Sequence, residues 1–355
     1  MIPERQSNRK HLAKLIVLLA ISIFLVSCET VSYYTQAARG QLAIVFGRED
    51  IQRLISDSDL SPELRSKFGE VMSIREFAEN DLELPVANNY STYVDVDREH
   101  VVWNVFAAPE FSTDPVNWCY PIAGCVAYRG YFSEAGALNY AMQLEEQGFD
   151  VYTGGVDAYS TLGWFEDSLL STVMSRANYQ LAGLIFHEMA HQIAYLPGDT
   201  TFNESFATAV EREGLRRWLE ATDQAETIAV AETDRGRQQQ FIDLVIGFRD
   251  QFDELYAEEM SEADKRREKF VLQGQLRSEY EQLKQSWGGY SGYDSWFSRS
   301  LNNAQLSTVS SYNDLVPFFD DLLSQAGHSL PAFYDEVIRI VALPEMDRDA
   351  LLEKY

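Results

Sequence analysis

His187-Glu188-Met189-Ala190-His191 is the stretch on which the reading of this 355-residue chain turns. On a helix, residues i and i+4 share a face, so both imidazoles can reach one metal ion. Glu188 then stands beside that ion, where a general base takes a proton from an attacking water. The flanks read as helix: Leu181, Ala182, Leu184, Ile185, Phe186 and Met189 surround one weak breaker, Gly183, and Pro197-Gly198 ends the run. A helix so apolar is buried, and imidazole or charged groups inside it need partners. Two histidines at helical spacing that merely pack are the plain alternative, so a third ligand decides.

A catalytic zinc takes three protein ligands and leaves the fourth position open. After the first 27 residues the other histidines are His100 and His328, and neither follows His191 at a suitable distance. The chain offers instead Asn203-Glu204-Ser205-Phe206-Ala207, opening a second helix that runs through Val210 to about Trp218. The segment 195–201 between them is a turn by composition. Two helices joined by so short a loop are antiparallel neighbours, so Glu204 in the first turn of one can face His187 and His191 on the other. An acid favoured by the helix dipole is the alternative for Glu204. Asn-Glu-x-Phe-Ala, with Glu211 two turns on, resembles the Asn-Glu-Gly-Phe-Ala segment that carries the glutamate ligand of gluzincin aminopeptidases.

Arg5, Arg9, Lys10 and Lys14 precede an apolar run from Leu15 to Val26 that is broken by Ser22. A basic region followed by a run too short for a comfortable membrane span reads as an export signal. Its end, Leu25-Val26-Ser27-Cys28, resembles the bacterial lipoprotein signal, which implies cleavage before Cys28 and lipid attachment to it. A plain N-terminal membrane anchor is the alternative. Either way the remainder is expected in the bacterial cell envelope, facing the periplasm, with the lipid bilayer as a partner. In that oxidising compartment Cys119 and Cys125 form an even pair flanking Tyr-Pro-Ile-Ala-Gly, and a disulfide is the expected use, two separate thiols the alternative.

The chain has 29 basic and 55 acidic residues, a net charge of −26. Loss of residues 1–27 would make the balance more negative still. Such a surface argues against nucleic acid and anionic lipid as direct partners and gives a weak pointer to cationic peptide substrates. A hydrophobic content of 46% is ample for a core.

Residues 30–85 read as helical, from Tyr33 to Phe46 and from Ile51 to Phe77, with Ser61-Pro62-Glu63 as a start. Strands are expected at Tyr93–Val96, Val101–Ala107, Cys125–Phe132 and Phe149–Tyr152, and Ser133 caps a helix from Glu134 to Gln147. A further strand from Val156 to Phe165 lies just before the zinc helix, where an extended edge can pair with a substrate backbone. Gly154-Gly155-Val156-Asp157-Ala158 stands where gluzincin aminopeptidases carry Gly-x-Met-Glu-Asn, whose glutamate holds the substrate amine. That motif is missing, and Asp157 and Glu166 are the substitutes on offer. From Arg235 to Trp287 apolar residues step by three or four, an amphipathic helical hairpin turning near Ser261-Glu262-Ala263-Asp264. For an oxyanion donor from the C-terminal half, Tyr312 is the candidate and Asn303 the second choice.

Across nearly all of the chain after residue 28 these pieces resemble the bacterial putative aminopeptidase family of exported, gluzincin-like zinc proteins. The likeness runs through Tyr33–Gln41, Ala123–Phe132, Ala158–Phe165, both zinc motifs and Leu301–Ala304. It implies His187, His191 and Glu204 as ligands of Zn2+, Glu188 as catalytic base and a peptide or protein substrate. The expected fold is α+β: a mostly helical gluzincin-like metallopeptidase, with a small mixed β-sheet before the zinc helix and a long C-terminal helical hairpin. The expected organisation is a signal peptide at 1–27, a helical and β-sheet subdomain at 28–180, and a helical zinc-binding subdomain at 181–355. The expected function is zinc-dependent peptide hydrolysis as an aminopeptidase. A zinc endopeptidase, or a non-catalytic peptide-binding or scaffold lipoprotein, is the alternative.

Overall fold

A computed structural model describes residues 30–120, 124–158, 166–309 and 315–352. The expected signal peptide, Cys28, most of the expected strand 156–165 and Tyr312 lie outside the described residues. The fold is α+β and mostly helical, as expected from the sequence. None of the described helices is long and apolar enough to cross a membrane.

Helix α1 covers residues 30–46. A short strand β1 (Glu49–Asp50) leads to α2 (Ile51–Ile55) and α3 (Pro62–Asn80), the latter capped by the Ser61 hydroxyl accepting from the Leu64 N–H. Strands β2 (Thr92–Val94), β3 (Val102–Pro109), β4 (Trp118–Tyr120), β5 (Gly124–Val126) and β6 (Arg129–Tyr131) follow, then α4 (Glu134–Glu146) and β7 (Phe149–Val156). The single strand expected at Cys125–Phe132 is therefore two, because its halves pair with different partners, β5 with β4 and β6 with β3. After β8 (Leu169–Leu170) comes the helical remainder. It comprises α5 (Asn178–Ala190), α6 (Thr200–Ala221), α7 (Ala225–Ala257), α8 (Glu262–Ser286), α9 (Asp294–Phe297), α10 (Asn303–Leu306), α11 (Val316–Gln325), α12 (Leu330–Val341) and α13 (Glu345–Leu352).

Among the described residues there are three small sheets where one mixed sheet is expected from the sequence. In the order β1-β2-β8, β2 pairs antiparallel with β1 and parallel with β8. The second sheet, β6-β3-β7, is antiparallel throughout and carries α4 on one face, where Trp103, Val105 and Ala107 meet Ala137, Ala141 and Leu144. The third is the ribbon β4-β5, whose opposed Cys119 and Cys125 are joined by a disulfide.

The largest core wraps the two helices of the site. Phe186 and Met189 of α5 and Phe202 and Phe206 of α6 pack with Phe77 of α3 and Phe319 and Phe333 of α11 and α12. That core takes residues from both sides of position 180. The hairpin α7–α8 has its own core with residues 297–309, led by Phe241, Phe248, Phe252, Leu276 and Tyr280. It is tied to the second sheet by a buried ion pair, Lys269 Nζ to Asp150 Oδ2 at 2.6 Å.

Candidate metal centre

Helices α5 and α6 run antiparallel: His191 and His187 approach Glu204, and one to two turns on, Gly183 and Phe186 meet Glu211 and Gly214. Helix α5 ends at Ala190, a turn earlier than expected. His191 still has helical φ and ψ, and the next N–H groups bond three residues back, Gln192 to Met189 and Ile193 to Ala190. The second histidine thus keeps its place on the face set by the first. Helix α6 begins at Thr200 rather than Asn203, because the Asp199 carboxylate caps it by accepting from the Phe202 N–H at 2.9 Å. Glu204 consequently sits in the second turn, away from the strongest part of the helix dipole, which weakens the reading of it as a dipole-favoured acid.

The loop between the helices is held by Asn203, which is buried. Its side-chain oxygen accepts from the Leu196 N–H at 2.7 Å and its amide donates to the Leu196 carbonyl at 2.8 Å. One side chain therefore satisfies both backbone groups of a buried loop residue. Across the other end, Asn89 donates to Gln192 Oε1 at 3.2 Å and accepts from the Asp167 N–H at 2.9 Å.

His187 Nε2 lies 3.2 Å from Glu204 Oε2, and His191 Nε2 lies 3.7 Å from Glu204 Oε1. One ligand atom from each of the three residues can be chosen so that all lie within 4.8 Å of one another. Tetrahedral zinc with ligand bonds near 2.0–2.1 Å sets its ligand atoms about 3.3 Å apart, so the donor set fits that ion in kind, and the His187–Glu204 separation is close to the one it needs. His187 Nδ1 faces Glu211 Oε2 at 3.1 Å, which turns Nε2 toward Glu204 and fixes the tautomer a ligand needs. Gly183 makes the room: a Cβ there would stand 3.1 Å from Glu211 Oε1.

The electrostatics single out the same residues. Loss of water would lower the His187 pKa, but hydrogen bonds to Glu204 and Glu211 outweigh it and raise it to about 10. His191 is lowered to about 4 by burial and then by the charge of His187. Glu188 is raised to about 7, chiefly by burial; His187 opposes this, and Asp167, Glu204 and Glu211 add to it. Glu204 is held below the ordinary carboxylate range because its two histidines outweigh its own burial. Displacements in opposite directions on adjacent side chains are characteristic of functional sites. A divalent cation here would draw the Glu188 carboxyl back down.

Other residues singled out in the sequence are placed elsewhere or engaged. Asn303 is fully buried. Its amide donates to the carbonyls of Pro109 and Glu110, and its oxygen accepts from the Tyr256 hydroxyl, so it has no group left for an oxyanion. Asp157 is held by His100 Nδ1 at 2.8 Å and Arg176 at 3.6 Å, and Glu166 accepts from Asn88 at 2.6 Å. Both carboxylates offered as amine anchors are thus in use. Tyr195, read from sequence only as part of a turn, stands at the rim, its ring centroid 6.5 Å from that of His191.

The model of the family described as putative aminopeptidase matches residues 32–352. The chain belongs to that family. No curated protein and no solved structure matches it. Membership of this family implies a peptidase acting on peptides.

Proposed function

We propose that this chain is a zinc-dependent aminopeptidase held at the bacterial cell envelope by a lipid on Cys28, with its site facing the periplasm. The observation that carries the zinc reading is the convergence of His187, His191 and Glu204, with Glu188 next to the first of them in the chain. A structural zinc site would fill its fourth position with protein and has no use for a base, whereas among the described residues this cluster offers three ligands and a neighbouring carboxylate. When bound, zinc supplies a Lewis acid that polarises the scissile carbonyl and acidifies water. Glu188 takes the proton of the attacking water and passes it to the leaving amine. Glu211 keeps His187 oriented throughout. Tyr312 is the proposed donor to the oxyanion; it lies three residues before Leu315, whose N–H donates to Ser205 beside Glu204 at 3.2 Å.

Metal analysis of the purified chain should find about one zinc, and His187→Ala, His191→Ala and Glu204→Ala should each lose most of it. Glu188→Gln should keep the metal and lose turnover, because it removes the base while preserving volume. Full activity in Glu188→Gln would overturn the mechanism. Aminopeptidase action over internal cleavage rests on the family, and one peptide with its amino terminus free or acetylated separates them. Stepwise release of single residues from the free form alone is expected, and equal internal cleavage of both forms would make this an endopeptidase.

A further inference from the structure

Helix α1 has two unlike faces. On one, Gln36 donates to the Gly130 carbonyl at 3.3 Å and accepts from the Phe132 N–H at 3.0 Å, while Ile44 is buried. Gly40 lies so close to the Phe132 ring that a Cβ there would fall 2.0 Å from Cγ, and the Arg129 guanidinium stacks 4.2 Å over Tyr33. The opposite face presents Val31, Tyr34, Leu42 and Phe46, exposed by 63%, 45%, 49% and 82%. With Ala38 they fall within about 120° of one helical stripe, a width typical of a face that meets another apolar phase. A shallow hollow of about 420 Å3 runs along Val31, Tyr34, Ala38 and Leu42.

Charge and chain position say what covers that face. Residues 30–48 hold no acidic residue and two arginines, Arg39 and Arg48, in a chain that carries 55 acidic residues. A protein so negative is repelled by an anionic bilayer almost everywhere, and this acid-free stretch is where approach costs least. Cys28 lies two residues before the helix, and the apolar run Leu15–Val26 ends four residues before it. Four residues span at most roughly 15 Å, so any anchoring through either element keeps the first turn of α1 at the membrane surface.

We propose that α1 lies in the plane of the membrane interface, with Val31, Tyr34, Leu42 and Phe46 seated among lipid headgroups and upper acyl chains. This rests on the envelope-anchored reading above and goes beyond it. A tether alone leaves a protein free to tumble. An interfacial helix whose other face is bonded to β6 fixes the orientation of the whole body relative to the bilayer.

The test places a tryptophan on the helix. The full chain carrying Leu42→Trp is mixed with vesicles of zwitterionic and anionic lipid whose acyl chains are brominated. The added fluorescence should fall by about twofold or more, as expected for a side chain 5–10 Å into the interface. Phe270→Trp, at a position of α8 exposed by 74%, should keep its signal. An unquenched Leu42→Trp overturns the proposal, as does equal quenching of both variants. Unquenched fluorescence with dimers that form as concentration rises gives the face to a second copy, and overturns it likewise. Sedimentation of wild type and Cys28→Ser with membranes reports on the anchor separately. Retention with an unquenched Leu42→Trp leaves the anchor standing and removes the interfacial helix. Quenched Leu42→Trp, with Cys28→Ser retained on membranes as fully as wild type, keeps the interfacial helix and removes the lipid anchor.

Discussion

At the scale of single residues, the cluster of His187, His191 and Glu204 depends on side chains outside the three candidate ligands. Glu211 reaches His187 Nδ1 across Gly183, where a Cβ would stand 3.1 Å from Glu211 Oε1. Glu211→Gln can still accept one hydrogen bond but removes a charge, and metal affinity should drop by about 10- to 100-fold, as it does when such outer partners are lost. Gly183→Ala should produce a similar loss by steric means, since the Glu211 side chain must give by a few tenths of an ångström or move away. Titration with a competing chelator measures both, and unchanged affinity in Glu211→Gln would remove it from the site. The oxyanion donor is a second residue-scale question. Tyr312→Phe should lower kcat by about 100-fold with zinc content intact, whereas Tyr195→Phe should lower it less than about tenfold. The opposite order would transfer the role to Tyr195, the tyrosine at the rim.

At the scale of elements, the decisive unit is the pair α5 and α6 with its nine-residue connection, 191–199. Asn203→Ala would leave the buried N–H and carbonyl of Leu196 without their partner. The expected cost is about 2 kcal/mol of stability, read from chemical denaturation, with weaker metal binding because Glu204 is the next residue. Farther along α6, the largest influence on the Glu213 carboxyl is burial, which would raise its pKa. The guanidiniums of Arg216 and Arg217 outweigh it and hold the group below the ordinary range. A carboxyl depressed in the folded state adds stability above its unfolded value of about 4.3, and that stability is lost as pH falls through the lower folded value. Glu213→Gln should therefore be less stable at neutral pH and show a flatter loss of stability below about pH 4. An unchanged acid limb would deny the carboxylate this part.

At the scale of the whole molecule, the hairpin α7–α8 and the antiparallel sheet are coupled through one buried polar junction. Lys269 bonds Asp150 and the Glu110 carbonyl, the Asn303 N–H donates to the same Asp150 oxygen, and the Asn302 amide reaches the Val151 carbonyl. Lys269→Ala would strand the Asp150 charge beneath the hairpin, and a loss of about 3 kcal/mol is expected. Because the largest core does not contain this junction, the hairpin should then unfold before α5 and α6. Hydrogen exchange along α7 and α8 compared with α5 and α6 checks that order, and uniform protection in the variant would argue against it. The Cys119–Cys125 bond closes only a short loop, and its reduction should cost about 2 kcal/mol, the chain-entropy value for that length.

Features governed by local geometry are legible in the chain alone. The spacing of His187 and His191 puts them on one helix face whatever surrounds them. Ser61 and Ser133 mark helix starts because a hydroxyl can accept from the N–H three residues on. The hairpin was legible from its apolar period, and Glu204 from a motif on a helix too close to α5 to lie elsewhere. The tertiary structure alone decided the rest, because it depends on residues far apart in the chain meeting across packed surfaces. Nothing near Asn303 in sequence indicates that Pro109, Glu110 and Tyr256 use up its amide, and nothing near Asp157 indicates His100 and Arg176. Gly183 reads as a helix weakness until Glu211 is seen lying over it. A periodic pattern records which face of an element is buried, but the identity of the neighbour on that face is settled only when the helices close on one another.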